Sequence, residues 1–351
     1  MWDVAIIGAG PAGCSAAITL ARGGARVLLL ERAAFPRPKL CGEFLSPEVG
    51  GLLESLGCGE RFRAEAPARI ERAEVFGRRS TPVRFPLPAV GYGLSRYSLD
   101  HLLADAARRE GVELIENAEV AGLEGRALSL RDGRRFEAPR VLLAAGRHSF
   151  LQPAPRSRRT FFGFKAHYDG ASEPSVQLYF FPGGYCGVAP VERGLVNVCA
   201  LVEKKTLAGG RPDDLLAGSA ALRERLGTLK RVEPFLHAGP VVLGWRRPMA
   251  GCLAAGDAAL FVDPFTGDGI ALALETGRLA ARRLLNGGRA GDPNQFGGDL
   301  RARFGRQMRA SRLLRLAAET PWLEPPLWPL LSRPSVSNAI FRLTRSSRLS
   351  G

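Results

Sequence analysis

The N-terminal residues contain a glycine pattern whose chemistry depends on its spacing. The sequence Gly8-Ala9-Gly10-Pro11-Ala12-Gly13 gives G-x-G-x-x-G directly after an apolar run that predicts a strand over 3–7. Gly8 permits a tight turn, Gly10 lets a diphosphate approach the backbone, and Gly13 lets the next helix pack closely on the strand. Free amides at the start of that helix stabilise phosphate charge. The pattern therefore indicates a dinucleotide site.

An acidic residue completes this β-α-β unit. Residues 26–30 predict a second strand, which ends at Glu31. An acid about 20 residues after such a turn is placed to accept hydrogen bonds from a ribose, and its charge disfavours a 2′-phosphate there. Strand, helix, second strand and acid together make a coincidental glycine turn the weaker interpretation.

A second glycine-rich region makes the resemblance to a known family specific. Residues 254–259 read Ala-Ala-Gly-Asp-Ala-Ala, and residues 263–270 read Asp-Pro-Phe-Thr-Gly-Asp-Gly-Ile. With the N-terminal unit they resemble the FAD-dependent oxidoreductases of the class A flavin monooxygenase superfamily, and within it the geranylgeranyl reductase-like branch. Residues 39–47, around Cys41-Gly42, and residues 179–185 are similar to two further segments of that branch. The resemblance covers most of residues 1–290.

The resemblance implies which residues bind FAD. In the family, the first fingerprint binds the ADP half of FAD, and the Asp of a Gly-Asp pair, matched by Asp257, holds the ribityl chain. A helix that follows the Asp-Pro turn presents its amides to the pyrimidine end of the flavin ring, where reduction places negative charge. Arg96 matches an Arg that approaches the pyrophosphate. The candidate cofactor-binding residues are Gly8, Gly10, Pro11, Ala12, Gly13, Glu31, Arg32, Cys41, Gly42, Arg96, Gly146, Gly256, Asp257, Gly267, Asp268, Gly269 and Ile270.

Other candidates follow from the same resemblance. Cys41 and Phe265 are the candidate catalytic residues, beside the flavin and against its ring, and Tyr179, Phe181 and Tyr185 are candidates for the substrate pocket. Each has a structural alternative, because buried cysteines are usually small hydrophobic residues and aromatic side chains on strands are usually core. No metal site is expected, since the histidines lack ligand spacing. The absence of a G-x-S-x-G motif argues against a hydrolase.

The remaining pattern predicts the elements that position these residues. Ser98 is expected to cap a helix whose apolar stripe ends at Gly111, residues 127–138 predict a hairpin that turns on Asp132-Gly133, and residues 141–145 predict a buried strand. Residues 160–202 predict antiparallel strands, and a helix is expected near 213–226.

The fold class expected is α/β, with a Rossmann-like FAD-binding domain of the glutathione reductase or p-hydroxybenzoate hydroxylase type, an inserted antiparallel sheet and a helical C-terminus. The expected FAD-binding domain comprises residues 1–70, 94–152 and 250–290. The substrate domain comprises 71–93 and 153–249, and a basic segment covers 291–351.

The distribution of charge indicates which classes of binding partner are expected. The formal net charge is +15, and residues 289–351 carry 11 Arg against 4 acidic residues. No recognition helix or zinc spacing accompanies this charge, so nucleic acid is not an expected partner. An Arg-rich helix followed by Trp322 and Trp328 could lie on anionic lipid, and the alternative is a helix packed on its own domain.

The six cysteines have no C-x-x-C pair, and no apolar stretch is long enough to span a membrane. A cytoplasmic protein with reduced thiols is therefore expected, peripheral at most to a membrane.

The sequence therefore predicts an FAD enzyme that NAD(P)H reduces and that acts on a lipophilic prenyl- or polyketide-like molecule. Only one dinucleotide fingerprint is present, so the nicotinamide would dock transiently. One alternative is a monooxygenase that hydroxylates an aromatic or polyketide substrate. An alternative of another class is a non-catalytic flavin-binding accessory protein. Substrate identity, NADH against NADPH, and oligomeric state are not specified by the sequence.

Overall fold

The computed structural model describes residues 1–77, 82–147, 151–152, 157, 159–207, 212–216, 219–286 and 292–345. The strands are β1 (Val4–Ile7), β2 (Val27–Leu30), β3 (Phe44–Leu45), β4 (Ala68–Phe76), β5 (Val83–Gly93), β6 (Glu113–Ile115), β7 (Val120–Glu124), β8 (Ala127–Leu130), β9 (Arg135–Glu137), β10 (Val141–Leu143), β11 (Phe161–Asp169), β12 (Ser175–Phe181), β13 (Gly184–Pro190), β14 (Leu195–Glu203), β15 (Lys230–Arg231), β16 (Leu236–Val241), β17 (Gly244–Trp245), β18 (Cys252–Ala254) and β19 (Leu260–Phe261). The helices are α1 (Pro11–Arg22), α2 (Glu48–Ser55), α3 (Gly59–Ala64), α4 (Arg96–Arg109), α5 (Pro212–Leu216), α6 (Ala220–Gly227), α7 (Gly269–Leu285), α8 (Pro293–Glu319), α9 (Glu324–Leu331) and α10 (Pro334–Leu343).

The predicted β-α-β unit is confirmed and lies at the centre of a parallel sheet. The strand order is β18-β10-β1-β2-β6, and the pairings along it are parallel. Strands β1 and β2 are buried along their whole length, as both faces of a parallel sheet are covered by other elements. The N-terminal apolar run, in which polar and apolar residues do not alternate, is therefore the central strand β1.

Small residues allow helices α1 and α7 to cross closely over this sheet. A Cβ on Gly277 of α7 would lie 2.1 Å from the carbonyl oxygen of Ala12, so no larger residue fits there. The Ser15 hydroxyl donates a 2.7 Å hydrogen bond to the Leu274 carbonyl across the same contact. The two glycine-rich segments of the sequence are thereby brought together.

The inserted β-rich region forms a second, larger sheet. Its order is β15-β11-β14-β13-β12-β4-β5-β3, with β16 paired to β11. The pairings among β11, β12, β13 and β14 are antiparallel as predicted, but β12 pairs with β4 in parallel. This parallel pair joins a strand of the first insert to a strand of the second, so the two inserts form one sheet.

Two local predictions need correction. Helix α4 begins earlier than expected, and its N-cap is Ser95, whose hydroxyl accepts a 3.2 Å hydrogen bond from the Ser98 amide. Ser98 is thus inside the first turn. The helix expected near 213–226 is two helices, α5 and α6, and α6 has its own cap at Ser219. The hairpin at Asp132-Gly133 is confirmed by the pairing of β8 with β9.

The second sheet includes residues that the sequence analysis assigned to the FAD-binding domain. Strand β4 of the second sheet starts at Ala68, and the short β3 pairs with β5 although its residues were placed in the cofactor domain. The expected boundaries near 153 and 290 fall on residues outside the described ranges.

The C-terminal helices α8, α9 and α10 pack back on the rest of the protein. Phe296, Leu300 and Phe304 of α8 are buried in the same apolar core as α1 and α7. In the described ranges, no helix is both long enough and apolar enough to cross a bilayer.

Candidate active site

Two cavities meet where the parallel sheet, the second sheet and the C-terminal helices converge. The first has a volume of about 430 Å³ and the second about 330 Å³. Six residues line both of them, so the two spaces share one wall. These residues are Gly42, Phe44, Tyr185, Cys199, Pro264 and Gly267.

The first cavity collects most of the cofactor-binding residues predicted from the sequence. Gly10 of the first motif and Gly267 of the second both line it, although they are far apart in the chain. The predicted residues that line it are Gly8, Gly10, Pro11, Ala12, Glu31, Arg32, Cys41, Gly42, Arg96, Gly146, Gly256, Asp257, Gly267, Gly269 and Ile270.

The glycines of the first turn differ in what surrounds them. Gly8 has a φ of +100°, which favours glycine, and a Cβ on Gly13 would lie 1.8 Å from the Gly8 carbonyl oxygen. These two glycines are required by the chain itself. A Cβ on Gly10 would instead meet only the Arg96 guanidinium, at 3.8 Å. Gly10 thus leaves open space at the N-terminus of α1, where a diphosphate could approach the amides.

Glu31 is held at the edge of this space by several donors. Its carboxylate accepts hydrogen bonds from the Ala9 amide at 2.9 Å and from Arg37 at 3.2 Å. Arg37 also contacts Asp100 at 3.1 Å, and Arg96 makes a two-pronged contact with the same Asp100 at 2.6 and 2.8 Å. These contacts fix the carboxylate of Glu31 and the guanidinium of Arg96 before any ligand is bound. Arg37 and Asp100 were missed by the sequence analysis.

Asp257 faces the first cavity without a protein partner among the described residues. It follows Gly256, whose φ of +60° turns the chain at the end of β18. Burial raises the pKa of the Asp257 carboxyl, while the nearby Arg147 and Lys39 act to lower it. A carboxylate that is partly removed from water and has no hydrogen-bond donors is costly, so this group fits a ligand that brings hydroxyl donors.

Lys39 is a further cation at this cavity that sequence reasoning did not select. It has no hydrogen bond or ion pair with the described residues, and its ammonium lies 3.7 Å from the Cβ position of Gly146. Burial, together with the Arg96 and Arg147 guanidinium groups, lowers the pKa of Lys39 to about 8. Unpaired positive charge at this place suits an anionic ligand.

The second cavity is lined mainly by apolar side chains. The second sheet supplies one side, and the C-terminal helices supply the roof. Ionisable side chains that line it include Tyr185, Cys199, Glu319 and Glu324. The apolar lining residues include Val75, Phe85, Leu87, Val176, Leu178, Phe180, Leu314, Ala317, Ala318, Leu327, Trp328, Leu331, Ile340 and Phe341.

The predicted aromatic residues separate between the two faces of the second sheet. Tyr185 lines both cavities and Phe181 lines the second, but Tyr179 lines neither. Tyr179 is 2% exposed and stacks on Phe76 with ring centroids 4.3 Å apart, on the opposite face of the strand. Phe180 points from the other face into the second cavity, because successive side chains of a strand point to opposite faces. Phe181 shares the core of Tyr179 and also lines the second cavity.

Three other predicted residues lie away from the positions expected for them. Phe265 lines the second cavity, not the first, and makes edge contacts with Phe180 at 5.7 Å and Tyr185 at 6.0 Å. Asp268 is fully buried below the turn, where its carboxylate accepts a hydrogen bond from the Thr266 hydroxyl at 2.5 Å. Gly13 lies beneath the first turn and does not line the cavity.

The segment Cys41-Gly42-Glu43 forms part of the shared wall and is anchored by a buried ionic cluster. The Glu43 carboxylate contacts the Lys165 ammonium at 2.5 Å and the His167 ring at 2.6 Å, and it accepts a 2.9 Å hydrogen bond from the Arg96 amide. Glu43 has a φ of +56°, which is strained for a residue with a Cβ. The Cys41 sulfur accepts a hydrogen bond from the Glu43 amide.

This cluster sets the charge of Glu43. Burial acts to raise the pKa of the Glu43 carboxyl, but the hydrogen bond from His167 and the charge of Lys165 bring it below its ordinary value of 4.5. Its contribution to stability is therefore fully present above about pH 4.5 and is lost as pH falls through the folded-state pKa.

We expect Glu43→Gln to lower the free energy of unfolding by about 3–5 kcal/mol at neutral pH, because it leaves the buried Lys165 ammonium without its counter-charge, while His167 keeps its contact with Glu233 at 2.9 Å. Urea unfolding at pH 7 measures this loss. The control is Glu60→Gln on the exposed surface of α3, which should change stability by less than about 0.5 kcal/mol. Equal unfolding midpoints for the two variants would contradict the role of the cluster.

The chain is similar to a known protein family and to named relatives. Residues 1–140 match the protein family described as FAD binding domain. The menaquinone reductase of Mycolicibacterium smegmatis is 30% identical over 91% of this chain and 85% of that protein. The digeranylgeranylglycerophospholipid reductase 2 of Methanopyrus kandleri is 32% identical over 80% of this chain and 76% of that protein.

Solved structures share the whole fold. The geranylgeranyl bacteriochlorophyll reductase-like protein of Thermoplasma acidophilum superposes with a TM-score of 0.79 at 21% identity, over 97% of this chain and 94% of that one. The flavin-dependent brominase Bmp2 superposes with a TM-score of 0.80 at 21% identity, over 98% and 93%. Both are similar to this chain in fold. The relatives that are 30 and 32% identical over most of both proteins show that the chain belongs to the geranylgeranyl reductase-like family of FAD-dependent oxidoreductases.

Proposed function

We propose that this protein is a reductase that takes electrons from NAD(P)H on FAD and passes them to a lipophilic, isoprenoid-containing substrate. The observation that carries the proposal is the shared wall between a cation-lined cavity with a dinucleotide turn and an apolar cavity of about 330 Å³. Relatives named for menaquinone and for digeranylgeranylglycerophospholipid support a substrate of this class.

The residues of the first cavity fit FAD when each is matched to one part of the cofactor. The α1 N-terminus at Gly10, with Arg96 above it, suits the diphosphate, and Glu31 suits the adenosine ribose. Asp257 suits the ribityl hydroxyls. The turn from Pro264 to Gly269 suits the pyrimidine end of the ring, since α7 begins there.

The chain's own residues then determine what the bound flavin meets. FAD supplies two-electron chemistry that can deliver hydride to an adjacent carbon. Cys41 would face the ring from the first cavity, and Gly42 and Tyr185 would separate ring from substrate. Phe265 would orient the apolar substrate from its own cavity instead of touching the ring from the cofactor side.

Anaerobic kinetics test this function. Purified protein should bind FAD, NADPH or NADH should bleach the flavin absorbance, and a menaquinone or a geranylgeranyl lipid should restore it without oxygen. Oxygen uptake that matches substrate oxygenation would show a monooxygenase instead. Failure of both nicotinamides to bleach the flavin, with these substrates present, would favour an accessory protein.

Lys39 predicts a pH dependence of cofactor binding. The protonated ammonium attracts the FAD diphosphate, and its pKa in the ligand-free protein is about 8. We expect the affinity for FAD to fall as pH rises above 8, by at most about tenfold per pH unit. Titration of apoprotein with FAD from pH 6.5 to 9.5 measures this change. Lys39→Gln should bind FAD more weakly at pH 7 and should lose the dependence, and the same slope in both proteins would contradict it.

We also propose that the C-terminal helices rest on an anionic lipid surface beside the roof of the apolar cavity. Leu313, Leu316, Trp322 and Leu330 are exposed by 65, 48, 73 and 43%. Arg309 and Arg312 are exposed at helical spacing with Leu313 and Leu316. The acidic residues of 300–345 are Glu319, which is half-buried, and Glu324, which is buried, so neither adds much negative charge to this surface. This combination is typical of helices that lie in a membrane interface.

Vesicle sedimentation tests that surface. Trp322→Ala should reduce binding to phosphatidylglycerol-containing vesicles by about tenfold, because a buried aromatic contributes roughly 1.5–3 kcal/mol. Val232→Ala, which removes a residue 51% exposed on a different segment, serves as the control and should bind like the unchanged protein. Equal binding of the unchanged protein to phosphatidylcholine-only vesicles would argue against an electrostatic contribution.

A further inference from the structure

The turn that would hold the flavin ring is flanked by two buried aspartates, and both are held by the C-terminal helices. Asp263 precedes the Pro264–Thr266 turn, and Asp268 follows it. Asp263 is 5% exposed and Asp268 is fully buried. Neither carboxylate could remain charged in such surroundings without a partner.

Arg315 of α8 holds the first aspartate. Its guanidinium makes a two-pronged contact with the Asp263 carboxylate, one branch of which measures 2.6 Å. It also lies over the rings of Tyr185 and Phe265, at 5.7 and 5.8 Å from their centroids. Arg315 is 7% exposed, so this cation is buried behind two aromatic residues that line the second cavity.

A second set of contacts holds the other end of the turn. Gln307 of α8 donates a hydrogen bond to the Asp268 carboxylate. Arg345, just after α10, donates a 2.9 Å hydrogen bond to the Thr266 carbonyl and lies 3.7 Å from Asp268. Arg345 is 7% exposed, and its Nε lies 3.5 Å from the Glu48 carboxylate of α2, so this buried cation joins α2 to the turn.

The same helices form the roof of the apolar cavity. Leu314 and Ala318 of α8 line it on either side of Arg315 in sequence, and Ile340 and Phe341 of α10 line it before Arg345. Glu319 continues the connection, since it contacts Arg315 at 3.1 Å and Arg159 at 2.7 Å. A movement of the roof would therefore move the partners of both aspartates.

We propose that Arg315 and Arg345 are positioning residues that couple occupancy of the apolar cavity to the seating of the flavin ring. The inference rests on the proposed function, because it takes FAD to lie at this turn. A molecule in the apolar cavity orders α8 and α10. The ordered helices hold Asp263 and Asp268 in place. The turn between these aspartates then presents Gly267 and the α7 amides in one arrangement. Coupling of this kind is reciprocal, so FAD should also tighten binding in the apolar cavity.

The test measures the affinity of full-length apoprotein for FAD with and without geranylgeraniol as the apolar probe. In the unchanged protein we expect the probe to tighten FAD binding by at least about fivefold. Arg315→Met and Arg345→Met should each weaken FAD binding and reduce the effect of the probe to less than twofold. The matched controls are Arg306→Met on α8 and Arg342→Met on α10, both at exposed arginines, which should keep the full effect.

Several outcomes distinguish this inference from the proposed function. If the unchanged protein binds no FAD, the proposed function fails. If it binds FAD and is reduced by NADPH, but Arg315→Met and Arg345→Met show the same probe effect as their controls, only the coupling is overturned. Arg315→Lys keeps a cation beside Asp263 and guards against loss of folding. It should restore part of the coupling, and the full effect in Arg315→Met at equal thermal stability would contradict the role of Arg315.

Discussion

Gly10→Val should abolish detectable FAD binding while the apoprotein remains folded. A Cβ at this position has only the Arg96 guanidinium within 4 Å, so the folded chain accepts a side chain there. The added methyl groups would occupy the space through which a diphosphate reaches the α1 amides. We expect the dissociation constant for FAD to rise by at least about a hundredfold, which corresponds to roughly 2.7 kcal/mol.

Apoprotein titration by flavin fluorescence measures that loss, and thermal unfolding checks the fold. Gly298→Val is the matched control, because a Cβ at Gly298 of α8 would meet nothing within 4 Å and the residue is exposed. It should bind FAD normally. Unchanged affinity in Gly10→Val would place the diphosphate elsewhere, and the assignment of the first cavity would be lost.

Ala318→Trp should block the apolar cavity and leave the cofactor cavity intact. Ala318 lines the second cavity and not the first. An indole in a space of about 330 Å³ removes a large part of the volume available to an isoprenoid chain. We expect kcat/KM for a geranylgeranyl or menaquinone substrate to fall by about a hundredfold or more, with the rate of flavin reduction by NADPH unchanged.

The control for this variant lies on the same helix. Ala302→Trp adds the same side chain at an exposed position of α8 and should leave both half-reactions unchanged. A fall in the rate of flavin reduction by NADPH in Ala318→Trp, matching its fall in kcat/KM, would show damage to the cofactor site. Unchanged kcat/KM would show that substrate does not enter the second cavity.

The sequence indicated most of the residues that line the first cavity because the constraints there are local. Gly8, Gly13 and Gly256 are required by backbone conformation or close approach, and such requirements restrict a position to glycine. Asp257 was found through resemblance, and the structure adds that its carboxylate has no hydrogen-bond partner among the residues it describes. The α/β fold followed from the same patterns and is confirmed.

Residues that depend on long-range contacts were not predicted. Glu43 is joined to Lys165 and His167, which lie more than a hundred positions away on β11, and no local pattern links them. Arg315 could not be distinguished from the other arginines of the basic C-terminal segment, because the sequence does not show which arginine is buried. At Arg315, α8 packs on its own protein, as the alternative interpretation expected. At Arg312 the same helix is exposed.

The direction in which the side chains of β12 point explains why Tyr179 is not in the pocket. The aromatic run at 179–181 indicated a pocket wall, but the sequence did not fix which side chains face the cavity. Tyr179 packs on Phe76, and Phe180 faces Phe265 instead. Only the pairing of β12 with β13 and β4 determines this choice.

A crystal structure of the protein with FAD tests the central claim most directly. The diphosphate should lie over the α1 N-terminus beside Gly10, and the flavin ring should lie against Gly42, Tyr185 and Gly267, with its reactive edge open to the apolar cavity. A flavin ring that points away from this wall, or a wall that stays closed between ring and apolar cavity, would contradict the account.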